Sequence, residues 1–319
     1  MKKTFKKHSR APKIDIYERV TKIVLKRLEE GLAPWQAPSI ARVGFPRNFL
    51  TKNHYQGINV FLLGSAGYAS PWFLTYRQAQ ELDGQVCKGE KGHLIVKYGT
   101  LEKESAPGNS TSGDAETVKR GYLRGYTVFN SSQIDGIDFP EIKHPGYKPS
   151  EQVALAQQII DGMSNPPKLE EGPHACPHYR PDEDLVGMPA RETFTNEERF
   201  YKTLFHEFTH ASGHSSRLAR KTLLENKGMI ASGTARQTYA KEELVAEMGA
   251  AFLAAHSGIV LDDFENSAAY LKNWLEVLRV KDNRRWIVEA ASQAQKATEW
   301  ILGESDSFAL PIFDFRGIE

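Results

Sequence analysis

Two histidines four residues apart with a glutamate between them, His206-Glu207-Phe208-Thr209-His210, are the residues of this chain best suited to do chemistry. On a helix such histidines lie one turn apart on one face, so their imidazoles can grip one tetrahedral cation such as Zn²⁺. Glu207 then flanks the coordination position left open for water. A cation held this way lowers the pKa of its water toward neutrality and polarises a carbonyl, with Glu207 placed to take the proton as general base. Hydrolysis of a peptide bond is the reaction class that follows. A site of two histidines and a carboxylate also accepts Mn²⁺, Co²⁺ or Ni²⁺.

The third ligand must come from elsewhere. Downstream, YAKEELVAEMGAAFLAAH places Leu244, Val245, Met248, Ala251 and Phe252 at helical intervals, with Glu243 and Glu247 four apart on one face. Glu243 is assigned as the ligand and Glu247 as the carboxylate that orients a ligand histidine, Glu242 being the alternative for either role. A three-histidine site is excluded, because the position six residues after His210 is Ser216. His214 reads either as a group behind the ligands or facing substrate, or as a surface histidine beyond the helix end. Tyr239, His214 and Arg217 are unranked candidates to stabilise an oxyanion.

These residues need rigid elements to position them. Thr195 and Glu198 form a capping-box pair, Phe200, Leu204, Phe205 and Phe208 recur at helical spacing, and Gly213 supplies a stop, which predicts a helix over 196–212. Leu185, Val186 and Met188 in HYRPDEDLVGMP predict a short strand or hairpin just before that helix, with 184–190 near the cleft, where an edge strand could pair with an extended substrate. Two further amphipathic helices follow the second metal helix, and their Tyr270, Trp274, Trp286 and Trp300 read as core. Upstream, the spacing predicts helices over 14–31, 58–65 and 75–82 and strands over 93–98 and 121–129. The Gly/Ser/Thr-rich segment 101–117 reads as a long disordered loop.

The net charge of +1 hides an asymmetry: residues 1–150 carry 23 Lys and Arg against 14 Asp and Glu, and the remainder 18 against 26. A basic half invites an acidic partner. Its cations alternate with aromatics, among them Trp35, Tyr55, Trp72, Tyr98, Tyr122 and Tyr126, a composition that suits single-stranded nucleic acid. The two cysteines cannot form a disulfide framework, the charged start MKKTFKKHSR lacks the apolar run of a secretory signal, and no stretch is long enough to span a membrane. A bacterial cytoplasmic protein with a disordered basic N-terminus is the expectation.

Taken together, the two halves resemble the ArdC family of antirestriction proteins. The N-terminal marks are Pro34-Trp35-Gln36-x-Pro38, Tyr55-x-Gly57-Ile58-Asn59, Thr75-x-x-Gln78-Ala79 and Val86-x-Lys88-Gly89-Glu90-Lys91-Gly92; the C-terminal ones are Tyr201 to His214, Glu242 to Glu247 and Tyr270-x-x-x-Trp274-Leu275. The resemblance implies an α+β protein of two domains: an N-terminal α/β domain over 1–139 that binds single-stranded DNA, a linker over 140–150, and a mostly helical, zincin-like metallopeptidase domain over 151–319, similar to gluzincins and to SprT-type enzymes. Trp35, Arg47, Lys52, Tyr55, Asn59, Trp72, Lys88 and Lys91 are its candidate DNA contacts. The role it implies is protection of incoming plasmid DNA from host restriction during conjugation, with a restriction subunit or another DNA-bound protein as substrate. The competing reading is a non-catalytic protein that coats single strands or occludes the restriction enzyme around a structural metal. Nucleotide polymerisation is not expected, since zinc-ribbon cysteines and a polymerase acidic motif are both missing.

Overall fold

The structure, a computed structural model, describes residues 15–37, 39–104, 117–141, 146–225, 234–260 and 268–303. The basic start before residue 15 and the centre of the Gly/Ser/Thr-rich loop lie outside these residues. Helix α1 (Ile16–Glu29) starts where the Asp15 carboxylate accepts the Tyr17 N–H at 3.0 Å and stops before Gly31, whose φ of 87° suits only glycine. A short turn over Pro34–Gln36 and α2 (Ser39–Val43) lead into β1 (Arg47–Asn48), α3 (Ile58–Gly64), β2 (Trp72–Thr75) and α4 (Tyr76–Glu81). There follow β3 (Gln85–Val86), β4 (His93–Glu104), β5 (Thr117–Asn130) and β6 (Ile134–Asp135).

The main sheet has the order β1-β2-β5-β4, with β1 parallel to β2 and the rest antiparallel; β3 and β6 form a separate pair. The β4–β5 hairpin is longer than the spacing predicts. Pairing runs out to Glu104 and Thr117, so both ends of the expected loop are strand. The outer strand β4 would expose unpaired backbone, and Asn59 of α3 covers part of it: its amide donates to the Val96 carbonyl and accepts the Val96 N–H, both at 2.8 Å.

The second half is built from α5 (Pro149–Asp161), β7 (Lys168–Gly172), β8 (His178–Arg180), β9 (Leu185–Pro189), α6 (Glu197–Ser212), α7 (Lys221–Leu224), α8 (Thr234–Ser257), α9 (Ala268–Arg279) and α10 (Trp286–Ile301). Its sheet runs β7-β9-β8, so the strand predicted near 184–190 lies at the centre and the free edges belong to β7 and β8. That departs from the expectation of an edge at 184–190, because both flanking segments supply strands that periodicity was too short to reveal. Helix α6 is capped by Asn196 rather than Thr195, the Asn196 side chain accepting the Arg199 N–H at 2.9 Å.

Two cores hold these elements. Phe200, Leu204, Phe205 and Phe208 of α6 pack with Ala250 and Leu253 of α8 and with Val186 and Met188 of β9. The larger core crosses between the halves, joining Val20, Val24 and Leu28 of α1, Trp35, and Val60 and Phe61 of α3 to Leu244, Met248 and Phe252 of α8, Trp274 of α9 and Ile287 of α10. Phe61 stacks on Phe252 with centroids 4.6 Å apart. Each such buried aromatic contributes about 1.5–3 kcal/mol, and residues of both halves anchor α8.

Candidate metal centre

Helices α6 and α8 lie against each other where Gly249 meets Thr209. A Cβ at Gly249 would fall 2.4 Å from Thr209 Cγ2 and 2.6 Å from its Oγ1, so only glycine permits this approach. One turn away on α6, His206 and His210 present their Nε2 atoms 3.2 Å apart. Glu243 of α8 faces both, Oε2 lying 3.5 Å from His206 Nε2 and Oε1 3.3 Å from His210 Nε2. Among the described residues this trio is the one group of His, Cys or carboxylate side chains that converges closely enough to hold an ion.

The triangle fits a specific geometry. Ligand bonds of about 2.0–2.1 Å in a tetrahedron put neighbouring ligand atoms about 3.3–3.4 Å apart. That is close to the separation of the two imidazole nitrogens and to the distance from each of them to the nearer Glu243 oxygen, the two histidines facing different oxygens of that carboxylate. Charge fits as well. With both histidines neutral, the form in which imidazole ligates a metal, Glu207, Glu242 and Glu243 oppose the single guanidinium of Arg220, a deficit of two that a divalent cation balances.

The support behind His210 comes from Glu242, and here the structure corrects the assignment of Glu247. Successive residues of a helix turn by about 100°, so Glu243 faces the Nε2 atoms while Glu242, on the adjoining face, reaches the back of the His210 ring. His210 Nδ1 and Glu242 Oε1 are 3.2 Å apart. Glu247 shares the face of Glu243 but lies about 6 Å further along the axis, where it meets Lys202 and Tyr270. Glu242 is only 1 % exposed and is clasped by Arg220, whose Nη2 and Nε donate at 2.6 and 2.9 Å, and by the Thr222 hydroxyl. Arg220 in turn donates to the Thr209 carbonyl at 2.7 Å and to Ser212 Oγ at 3.0 Å, which ties it to the end of α6.

This chain of contacts sets the electrostatics. Burial disfavours a charged His210, yet hydrogen bonds with Glu242 and Glu243 outweigh it and raise the imidazole to about 10. Burial would raise Glu242, but His210 and Arg220 prevail and bring it down to about 2. Glu243 is likewise held below the carboxylate range, its two histidines overriding burial. Arg220 and Thr222 carry no motif that marks them in the sequence. The short helix α7 delivers them, Thr222 from its first turn and Arg220 from the residue that caps it.

The other candidates separate cleanly. Glu207 is buried on α6, and Tyr239 of α8 approaches both it and Glu243: burial and those two carboxylates push the phenol up to about 12. His214 stands in the turn after α6 with Nδ1 2.8 Å from Ser216 Oγ, outside the converging trio. Arg217 is taken up by a two-pronged ion pair with Asp184, both contacts 2.7 Å, so it is not a free oxyanion donor.

Comparison with known proteins places this geometry. Residues 14–129 match the family described as the N-terminal domain of anti-restriction factor ArdC, and residues 157–293 match a zincin-like metallopeptidase family, MPTase-PolyVal. A metal-free crystal structure of the antirestriction protein ArdC from plasmid R388 is 36 % identical, with a TM-score of 0.68 over 90 % of this chain and 97 % of that one. The chain belongs to the ArdC family of antirestriction proteins. A Mn(II)-bound structure of the R388 protein is 34 % identical with a TM-score of 0.69, covering 92 % of this chain and 100 % of that one. An uncharacterized protein of Sinorhizobium fredii, y4eC, is 35 % identical over 90 % of this chain and 91 % of its own length. The DNA primase TraC of Escherichia coli is 31 % identical over 90 % of this chain, which spans only 27 % of that primase.

In this ArdC-family chain the sequence marks of the N-terminal half are mostly architectural, which revises several candidate DNA contacts. Trp35 is buried, and its indole donates to the Tyr270 hydroxyl at 2.9 Å. Trp72 is buried and donates to the Pro140 carbonyl at 3.0 Å, with the buried Arg47 guanidinium 5.2 Å from its ring. Tyr55 packs on Phe73, and Asn59 is committed to Val96. Thr75 and Gln78 form the capping box of α4. Composition could not separate these rings from a stacking surface, because a buried tryptophan and an exposed one read alike in sequence. Of the candidates, Lys52, Lys88 and Lys91 are exposed, Lys52 lying 3.7 Å from the Phe49 ring centroid.

Proposed function

We propose that this chain is a DNA-associated, metal-dependent peptidase that protects incoming DNA from restriction. His206, His210 and Glu243 would hold the cation, Zn²⁺ or Mn²⁺ by the softness of the donor set, and the Mn(II)-bound R388 relative supports a divalent ion. The observation that carries this reading is the convergence of the two imidazole nitrogens and the Glu243 carboxylate at contacts of 3.2–3.5 Å beside the buried Glu207.

The bound cation would supply an acidified water and a polarised carbonyl. The chain's own residues do the rest. Glu207 accepts the proton of the attacking water and returns it to the leaving amine. The Glu242 carboxylate accepts His210 Nδ1–H, which fixes the tautomer and turns the Nε2 lone pair toward the ligand triangle. Tyr239, beside Glu207 and Glu243, is positioned to donate to the carbonyl oxygen as negative charge develops on it.

The basic N-terminal half would hold single-stranded DNA, concentrating the peptidase on proteins bound there. The substrate class is then a DNA-bound protein, a restriction component included, and the cell compartment is the cytoplasm; no helix among the described residues is long and apolar enough to cross a membrane.

The deciding experiment uses Glu207→Gln in the full chain, with metal content, oligonucleotide binding and protection of unmodified plasmid DNA measured side by side. Retained metal and DNA with lost protection supports the peptidase. Full protection by this variant would establish the occluding, non-catalytic protein instead.

A further inference from the structure

The aromatic rings that the sequence pattern offers for stacking are mostly buried, but one stretch of sheet keeps them open. On β5, Tyr122, Arg124 and Tyr126 alternate along one face, and the register sets Gly99, Lys97 and Ile95 of β4 opposite them. The other face of the same hairpin is covered over part of its length, Leu94, Val96 and Leu123 packing into the large core and Ile16 of α1 lying over Gly125. Tyr98 beyond them is open to solvent, with no cation beside it on that face among residues 94–98 and 123–127. Near the base of the hairpin, Ile95 and Val128 are covered by Leu63 and Phe73. Beyond that point the face lies open: Tyr122 and Tyr126 are each 38 % exposed, and Lys97 and Arg124 are exposed as well.

The face is organised. The Tyr122 ring lies over Gly99, where a Cβ would come within 2.5 Å of its Cζ, so the absent side chain lets the ring lie across the strand. Arg124 sits between the two rings, its guanidinium 6.0 Å from the Tyr122 centroid and close to the Tyr126 hydroxyl. Neither HLIVKYG on β4 nor YLRGYTV on β5 contains a carboxylate. The two rings are four residues apart, roughly 13 Å along the strand, with a cation midway between them.

We propose that this face of the β4–β5 hairpin is the platform on which single-stranded DNA lies, bases stacking on Tyr122 and Tyr126 and phosphates meeting Arg124 and Lys97. The proposal rests on the reading that the N-terminal half binds single strands, and it names where. Paired bases cannot offer their faces to rings, so duplex is disfavoured. The cations respond to phosphate irrespective of sequence, so little sequence preference is expected.

The test is titration of fluorescein-labelled oligothymidylate onto the full-length protein at several salt concentrations. Tyr122→Ala and Tyr126→Ala should each weaken binding by about ten-fold without changing the salt slope. Arg124→Ala should lower the slope of log K against log salt by about 0.7. If the intact protein binds and the double tyrosine variant binds equally well, the hairpin is overturned while the single-strand reading stands. If the intact protein does not bind, that reading fails and the hairpin proposal with it. Photocrosslinking of bromodeoxyuridine-substituted strand to the unmutated protein gives an answer independent of variant folding: adducts on Tyr122 or Tyr126 support the platform, and adducts confined to other elements overturn it.

Discussion

The metal centre and the β4–β5 hairpin carry their charge in opposite ways. Around His210 charge is drawn out of solvent and paired, the buried Glu242 between His210 and Arg220 and the partly buried Glu243 against both histidines. On the hairpin Arg124 and Lys97 are exposed to solvent. Buried charge is worth most when its partners are fixed, and exposed charge acts at a distance and is screened by salt. The first arrangement suits holding one small ion in one geometry; the second suits a long, flexible polyanion.

The sharpest way to break this contrast is at the buried end. Glu207→Gln should lower peptide hydrolysis by about 10²–10⁴-fold, read with a casein or oligopeptide substrate, while metal content and oligonucleotide affinity stay level. Loss of DNA binding in this variant would mean the two regions are not separable. Next in size, Glu242→Gln should weaken metal binding by about 10–100-fold in competition with a chromogenic chelator, and Glu247→Gln should leave it near the parent value. Equal losses in both would restore Glu247 to the role first assigned to it.

Proton linkage probes the same buried groups. In metal-stripped protein Glu242 lies at about 2 against an ordinary 4.5, and His210 at about 10 against 6.5. A lowered carboxylate contributes its full stabilisation above its unfolded value and loses it as pH falls through the folded one; a raised histidine contributes fully below its unfolded value and loses it as pH rises through the folded one. The pair's own contribution, read as the melting-temperature difference between chelator-treated parent and Glu242→Gln, should therefore plateau between pH 4.5 and 6.5 and decline toward about 2 and about 10. The buried His54 and His256, held well below the ordinary histidine value by burial, weaken both proteins alike as pH falls below 6.5. A flat profile would show that the pair is not closed. The smallest effects belong at the exposed end: Lys88→Ala and Lys91→Ala, on side chains open to solvent, should each change the salt slope of DNA binding by at most about 0.7 with melting temperature unchanged.

What could be read from sequence follows the same division. Periodicity places α6, α8 and the strands of the hairpin, because helix and strand repeats are local. The spacing of His206 and His210 likewise fixes their mutual geometry before any fold is known. Choosing between Glu242 and Glu247 requires knowing which flank of α8 meets the back of His210, and that depends on how two distant helices are rotated against each other. Arg220 and Thr222 arrive from the start of α7, a helix of four residues too short to show a periodicity. In the N-terminal half the failure has another cause: Trp35 and Trp72 form core hydrogen bonds, whereas Tyr122 and Tyr126, chemically similar, remain outside because α1 occupies only the opposite face.

Gly249 touches none of the ligands, yet the spacing of α6 and α8 depends on the carbon it lacks. A methyl group there would spread the bite between the imidazole pair and Glu243, favouring ions with longer bonds over compact ones. For the cation proposed at this centre, selectivity would then be set in part from a position that no inspection of donor atoms would single out.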